Sequence, residues 1–307
     1  MGHGHANRHG HGTAAGARRQ RLVLVLVITL TVAAVQVVGG AMSGSLALLA
    51  DAAHMVSDSA GIAVALAATW LAARPATKAR TFGMQRAEIL AALVNALLVG
   101  GIAVWVLVTA VGRWSDPPQV ETGLMVAVAV VGVAANAGCL LLLREGQSRS
   151  VNLRGAYLEV LGDLLGSVAV VVAGVVIATT GWTRADVVAS IVIGLMILPR
   201  AWALLAQVVD VLLEATPSGV DLDRVRDHMR KVPGVLDVHD LHAWTITSGV
   251  PVLSAHVVVD EDCMATGRSG EVLDHLGACL AGHFDVEHCT FQLEPVGHQE
   301  HEPAQHA

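Results

Sequence analysis

The sequence predicts an α-helical membrane protein: six transmembrane helices followed by a small α/β domain of order αββαβ. Three observations predict this class. The 307 residues are 54% hydrophobic and only 15% charged, with a mean hydropathy of +0.59, whereas a soluble domain is near a quarter charged. Six apolar runs, each near the roughly 20 residues that cross a bilayer, fill the first two thirds of the chain. Charge is also divided: residues 1–206 hold 14 Lys and Arg against 9 Asp and Glu, and residues 207–307 hold 5 against 17. A basic-flanked membrane body is therefore followed by an acidic segment of about a hundred residues, enough for one small domain. Its acidity argues against nucleic acid as a partner.

The spans run approximately over 22–42, 46–73, 87–111, 121–143, 154–178 and 184–205. Arg18, Arg19 and Arg21 precede the first, Arg74, Lys78, Arg80 and Arg86 separate the second from the third, and Arg144, Arg149 and Arg154 separate the fourth from the fifth. The remaining connections carry only Arg113 and Arg184 near their ends. Basic loops on one side place both termini in the cytoplasm. Trp70, Trp105, Trp114, Trp182 and Trp202 fall near span ends, as interfacial anchors do.

Beyond the spans, DLDRVRDHMRKV (221–232) reads as an amphipathic helix stopped by Pro233-Gly234. VHDLHAWTI (238–246) and PVLSAHVVV (251–259) alternate like strands around a short turn. SGEVLDHLGACLAGHF (269–284) reads as a second helix and HCTFQLEP (288–295) as a last strand. That order suggests a small sheet with two helices on one face. The expected divisions are a His-rich cytosolic tail (1–20), the transmembrane domain (21–206), the cytosolic domain (207–296) and a flexible His-containing tail (297–307). The opening MGHGHANRHGHG lacks the apolar core and cleavage site of a signal peptide. The cysteines, Cys139, Cys263, Cys279 and Cys289, form no CxxC, so neither a disulfide framework nor a zinc ribbon is indicated.

Ionisable residues within apolar spans carry the functional argument, because such a side chain is costly there unless paired, wet or functional. His54 and Asp58 lie four apart in LLADAAHMVSDSAG, and Glu159 and Asp163 four apart in AYLEVLGDLLGSVAV. On helices each pair shares a face. Facing one another, the pairs supply one imidazole and three carboxylates, a set suited to a tetrahedral zinc-like ion that leaves cobalt, cadmium, iron and manganese open. The bland alternative is a pair of helix-bridging hydrogen bonds. Asp51, seven residues before Asp58, is either the first ligand an arriving ion meets or a wet residue near the span's end. Gln36, Asn95 and Asn136 read as helix-packing polar groups, and Glu88 as a partner of Arg86 or another loop base. No enzyme motif such as HExxH occurs, and no catalytic cofactor is expected.

These residues resemble the cation diffusion facilitator family of bacterial zinc, cadmium and cobalt exporters and animal zinc transporters. The matching elements are the His tail, SGSLALLADAAHMVSDS, FGMQRAEILAALVNA, NLRGAYLEVLGDLLGS and VHDLHAWTI, in that order. The resemblance implies a homodimeric six-span antiporter with a metallochaperone-like cytosolic domain; the compact bacterial-like layout, with no organelle-targeting segment, points to a bacterial plasma membrane as its expected location. The antiporter would export divalent metal, zinc first and cadmium or cobalt besides, in exchange for protons. The resemblance also implies cytosolic metal ligands at His239, His256, His288 and Glu294, each of which otherwise reads as an exposed or core histidine or a structural acid. The zinc-transporting branch carries HxxxD in span five, where this chain has Glu159. The expectation is that Glu159 relaxes zinc preference toward harder or larger ions. His3, His5, His9, His11, His298, His301 and His306 form either metal-collecting arms or solvated tails. Two rivals stand beside transport: an intramembrane metallohydrolase, and a membrane-embedded sensor that binds metal without moving it.

Overall fold

The computed structural model describes residues 10–144, 151–284, 286 and 288–301. They form two compact units, one running to Ala67 and including Ala92–Leu205, the other comprising Ala68–Ala91 and the chain from Ala206 onward.

Six long helices match the six expected spans: α1 (Gly10–Ser43), α2 (Leu46–Ala72), α3 (Ala87–Gly112), α4 (Thr122–Arg144), α5 (Val151–Thr180) and α6 (Arg184–Leu212). Five are long and apolar enough to cross a membrane among the described residues. The sixth, α2, carries Asp51, His54 and Asp58. The helix α1 begins at Gly10, so the backbone of the expected N-terminal tail is helical from there. Its residues 1–9, with His3, His5 and His9, lie outside the described residues, as does His306.

Packing follows from apolar faces too broad for one partner. Leu48 of α2, Val106 of α3, Met125 of α4, Val170 of α5 and Ile193 and Ile197 of α6 share one buried core. A second cluster joins Val25 of α1 to Cys139 and Leu143 of α4 and Val160 of α5. Val27, Leu97, Val108, Leu141, Val172 and Leu195 point outward and are exposed. A surface so apolar is one that lipid covers. At the sharp α1–α2 turn Gly44 takes φ +75°, a conformation open to glycine and costly for most other residues.

The start of α2 is fixed from α6. The buried Asp186 accepts from the Ser45 hydroxyl at 2.5 Å and from the backbone N–H groups of Leu46 and Ala47 at 2.9 and 3.2 Å. Those amides have no intrahelical acceptor, and burial without a partner would cost about 1–3 kcal/mol each.

In the other unit α7 (Leu222–Met229) starts at Asp221, whose carboxylate accepts from the Asp223 and Arg224 amides. The strands are β1 (Val235–Thr245), β2 (Pro251–Val259) and β3 (His288–Glu294), in the order β1-β2-β3. The β1–β2 pair is antiparallel and β2–β3 parallel. A parallel neighbour requires a long crossover, which α8 (Glu261–Thr266) and α9 (Ser269–Phe284) provide. Val225 and Met229 of α7 and Leu276 and Leu280 of α9 pack with Val238, Leu253, Ala255 and Val257 of the sheet. The short α8 departs from the expected order; Asp260 accepts from the Cys263 amide at its start and Gly267, at φ +73°, closes its end.

Candidate metal centres

The first cluster lies in the membrane unit. Nε2 of His54 is 3.9 Å from Oδ2 of Asp58 and 3.8 Å from Oδ1 of Asp163. One ligand atom from each of the three can be chosen so that all lie within 4.8 Å of one another. The first separation follows from the i,i+4 spacing on α2; Asp163 comes from α5. A tetrahedral ion with zinc-like bonds spaces its ligand atoms about 3.3–3.4 Å apart, so each of the two separations from His54 would close by about half an ångström around an ion. Both Nδ1 of His54 and Oδ1 of Asp163 are buried without a hydrogen-bond partner among the described residues. Buried polar atoms of native proteins are seldom left so, and an arriving cation would satisfy the carboxylate.

Glu159 does not join these three. Its Oε1 faces Nη2 of Arg200 at 3.0 Å, while Nη1 of the same guanidinium reaches Oδ2 of Asp58 at 3.2 Å. Sequence reasoning missed Arg200. The signal was present, a lone cation inside the apolar run of the sixth span, but the run's average hydropathy hid it.

Asp51 also stands apart, completely buried. Its Oδ2 accepts from Nε2 of Gln36 at 2.8 Å and from the Ser167 hydroxyl at 2.7 Å. It is therefore neither a wet residue nor a member of the His54 cluster, and Gln36 does more than pack. A Cβ at Gly132 would lie 2.6 Å from Nε2 of Gln36, and one at Gly166 would collide with Asp51. Those two glycines make room for a polar knot between α1, α2 and α5.

The second cluster lies on the sheet. His239 and His256 are directly paired across β1 and β2, and His256 is paired with Gln292 of β3. Alternation along a strand puts Glu294 on the same face as Gln292. Glu294 is 1% exposed, with Oε2 3.1 Å from Nε2 of His239 and Oε1 2.8 Å from Nδ1 of His256. Nε2 of Gln292 donates to Oε1 of Glu294 at 2.9 Å. His288 is not part of this group. It pairs with Val252, at the opposite end of β3 from Glu294, and six residues of strand amount to about 20 Å. Its ring lies 6.2 Å from that of Phe82 instead. Beside the cluster, Asp240 holds a positive φ of 47° at an irregularity of β1 and lies 3.8 Å from Nε2 of His256.

Glu88 accepts from the Thr247 hydroxyl at 2.5 Å, while Arg86 pairs with Glu214 at 2.8 Å. The expected Glu88–Arg86 pair is thus replaced by two contacts to the C-terminal part of the chain.

Residues 22–213 match the family model described as the cation efflux transmembrane domain, and residues 217–296 match that of the cation efflux protein cytoplasmic domain. Among curated proteins, the chain is 47% identical over 271 residues to the metal cation efflux system protein CzcD of Cupriavidus metallidurans, covering 88% of this chain and 85% of that protein. It is 42% identical over 266 residues to the zinc transporter ZitB of Escherichia coli, covering 85% and 82% respectively. A cadmium, cobalt and zinc/H(+)-K(+) antiporter of Bacillus subtilis is 36% identical over 266 residues, covering 86% and 85%.

Proposed function

Because the chain belongs to the cation efflux family, a family of transporters and not of enzymes, we propose that it is a proton-coupled antiporter exporting divalent metal from the cytoplasm. Zinc is the foremost substrate, with cadmium and cobalt as alternatives, as the names of its relatives suggest. The observation that carries the reading is the His54–Asp58–Asp163 cluster within apolar helices.

Ligation needs a neutral imidazole and ionised carboxylates, so protons and metal compete for the same atoms. In the inward-facing state the cluster takes an ion stripped of water. The helices then re-expose it outward, where protons bind and release the ion. Coupling arises because the metal-bound and protonated forms favour different states. The Lys and Arg bias of the loops favours both termini on the cytoplasmic side, and the bacterial relatives favour a bacterial plasma membrane.

The cytosolic unit matches a dimerisation domain and supports a homodimer. There His239, His256 and Glu294 form a regulatory metal site that draws the protomers together when the cytoplasm is metal-rich.

The test is metal flux in sealed proteoliposomes under an imposed proton gradient, native chain against Asp163→Ala, with zinc, cadmium, cobalt and manganese. Gradient-dependent flux lost in the variant supports the reading. Absence of flux from correctly inserted native protein sinks it in favour of a sensor.

A further inference from the structure

The guanidinium of Arg200 forks between two helices. Nη1 meets Oδ2 of Asp58 on α2 at 3.2 Å and Nη2 meets Oε1 of Glu159 on α5 at 3.0 Å. The Asp58 oxygen it holds is the one facing Nε2 of His54. Arginine does not lose its proton in proteins and its planar fork matches carboxylates. This is therefore a permanent positive charge already seated on one ligand of the transport cluster. The side chain is 47% exposed, so it has room to withdraw. Pro199, immediately before it within α6, lacks the N–H that would bond one turn back, which loosens the helix at that point.

We infer that Arg200 is a tethered counter-ion of the transport site: it holds Asp58 in the metal-free state and yields it to the incoming metal, while Glu159 serves as its anchor and is not a metal ligand. This rests on the reading of His54, Asp58 and Asp163 as the site. Without metal, the guanidinium offsets part of the repulsion between the two carboxylates of the cluster and the nearby Glu159. When a divalent ion arrives, Asp58 exchanges the guanidinium for the ion and Glu159 keeps Arg200 nearby. On release, the guanidinium competes for Asp58 again and speeds departure. Affinity is thereby given up for turnover. A carboxylate in place of the span-five histidine and an arginine on α6 form one device, because Glu159 can anchor a cation where an imidazole would be a poor partner.

The test is zinc flux in proteoliposomes, resolved into KM and kcat, for Arg200→Gln, Glu159→Gln, the double variant and Asp163→Ala. Charge-assisted hydrogen bonds set the scale, so Arg200→Gln is expected to lower KM roughly tenfold or more while lowering kcat. Glu159→Gln is expected to raise KM, because the guanidinium then falls wholly to Asp58. The double variant is expected to return to the low KM of Arg200→Gln. Arg200→Lys keeps the charge but loses the fork, and is expected to fall between native and Arg200→Gln; it also serves if the glutamine variant does not fold. An unchanged KM in Arg200→Gln overturns the inference. So does a double variant with a KM raised as far as in Glu159→Gln alone, which would make Glu159 a ligand. If instead Asp163→Ala transports normally, the site itself has been misread.

Discussion

The membrane cluster and the sheet cluster contain the same chemistry in opposite states of completion. On the sheet, Glu294 sits 3.1 and 2.8 Å from the two imidazoles and takes a further hydrogen bond from Gln292. In the membrane unit, His54 stands 3.8 and 3.9 Å from its two carboxylates, and the cation that reaches the cluster comes from outside it. The sheet fixes its residues by cross-strand register, at separations too close to need an ion between them. The helices hold theirs apart by helical repeat and packing, at separations an ion would close. Under the proposed function, a site that must release its cargo is better left open in this way, and one that only reports metal can afford to compete with its own contacts.

The largest separation of the two comes from Asp163→Ala. It removes the only α5 member of the three-residue cluster. Transport should fall on the order of 100-fold or more, since even supporting contacts of metal ligands are worth about 10–100-fold. Zinc bound per chain, measured by equilibrium dialysis of the detergent-solubilised protein, should drop by the membrane site alone. Retained transport would mean the cluster is a helix-bridging contact.

Next is Glu294→Ala, the matching change on the sheet. It removes the carboxylate shared by both imidazoles, so the second zinc should weaken by about 10–100-fold. Flux at saturating zinc should change only severalfold. Unchanged zinc stoichiometry would identify the sheet cluster as a hydrogen-bonded structural feature.

The two regions were also unequally legible. Helix limits in the membrane unit follow from glycines, prolines and basic loops: the expected 87–111 is α3 (Ala87–Gly112), and 121–143 is α4 (Thr122–Arg144). The strand at 251–259 and the helix at 269–284 fall where alternation and helical repeat put them. What pattern could not give was which distant residues meet. Arg200 was hidden by averaging over an apolar run. His288 was grouped with Glu294 on the family resemblance, although six residues of extended chain carry the two to opposite ends of one strand. α8 went unseen because six residues are too few to show a helical period, although Asp260 and Gly267 mark its two ends.

A smaller effect comes from the knot around Asp51. Ser167→Ala removes one of two donors to a buried carboxylate, and should destabilise the protein by about 1–3 kcal/mol. The readout is thermal unfolding in detergent. The KM for zinc should move less than it does for Asp163→Ala, because Asp51 stands outside the cluster. A KM shift as large as that of Asp163→Ala would place Asp51 on the ion's path.

The smallest effect should come from Asp237, an exposed counterpart of the pair between Asp58 and Arg200. Burial alone would raise its carboxyl, but the Arg230 guanidinium, whose Nε donates to Oδ1 at 3.0 Å, and the Val238 amide hold it below the ordinary aspartate range. A lowered carboxyl stabilises the fold above its unfolded-state value and loses that contribution as pH falls through the folded-state value. Native protein should therefore lose this increment below about pH 4, and Asp237→Asn should lack that part of the acid sensitivity. Solvent screens such a pair, so the difference between the two proteins at neutral pH, where the increment is fully present, should be small and should vanish on acidification. A large neutral-pH loss in Asp237→Asn would mean that the β1 irregularity depends on this contact, and through it the approach of Asp240 to His256.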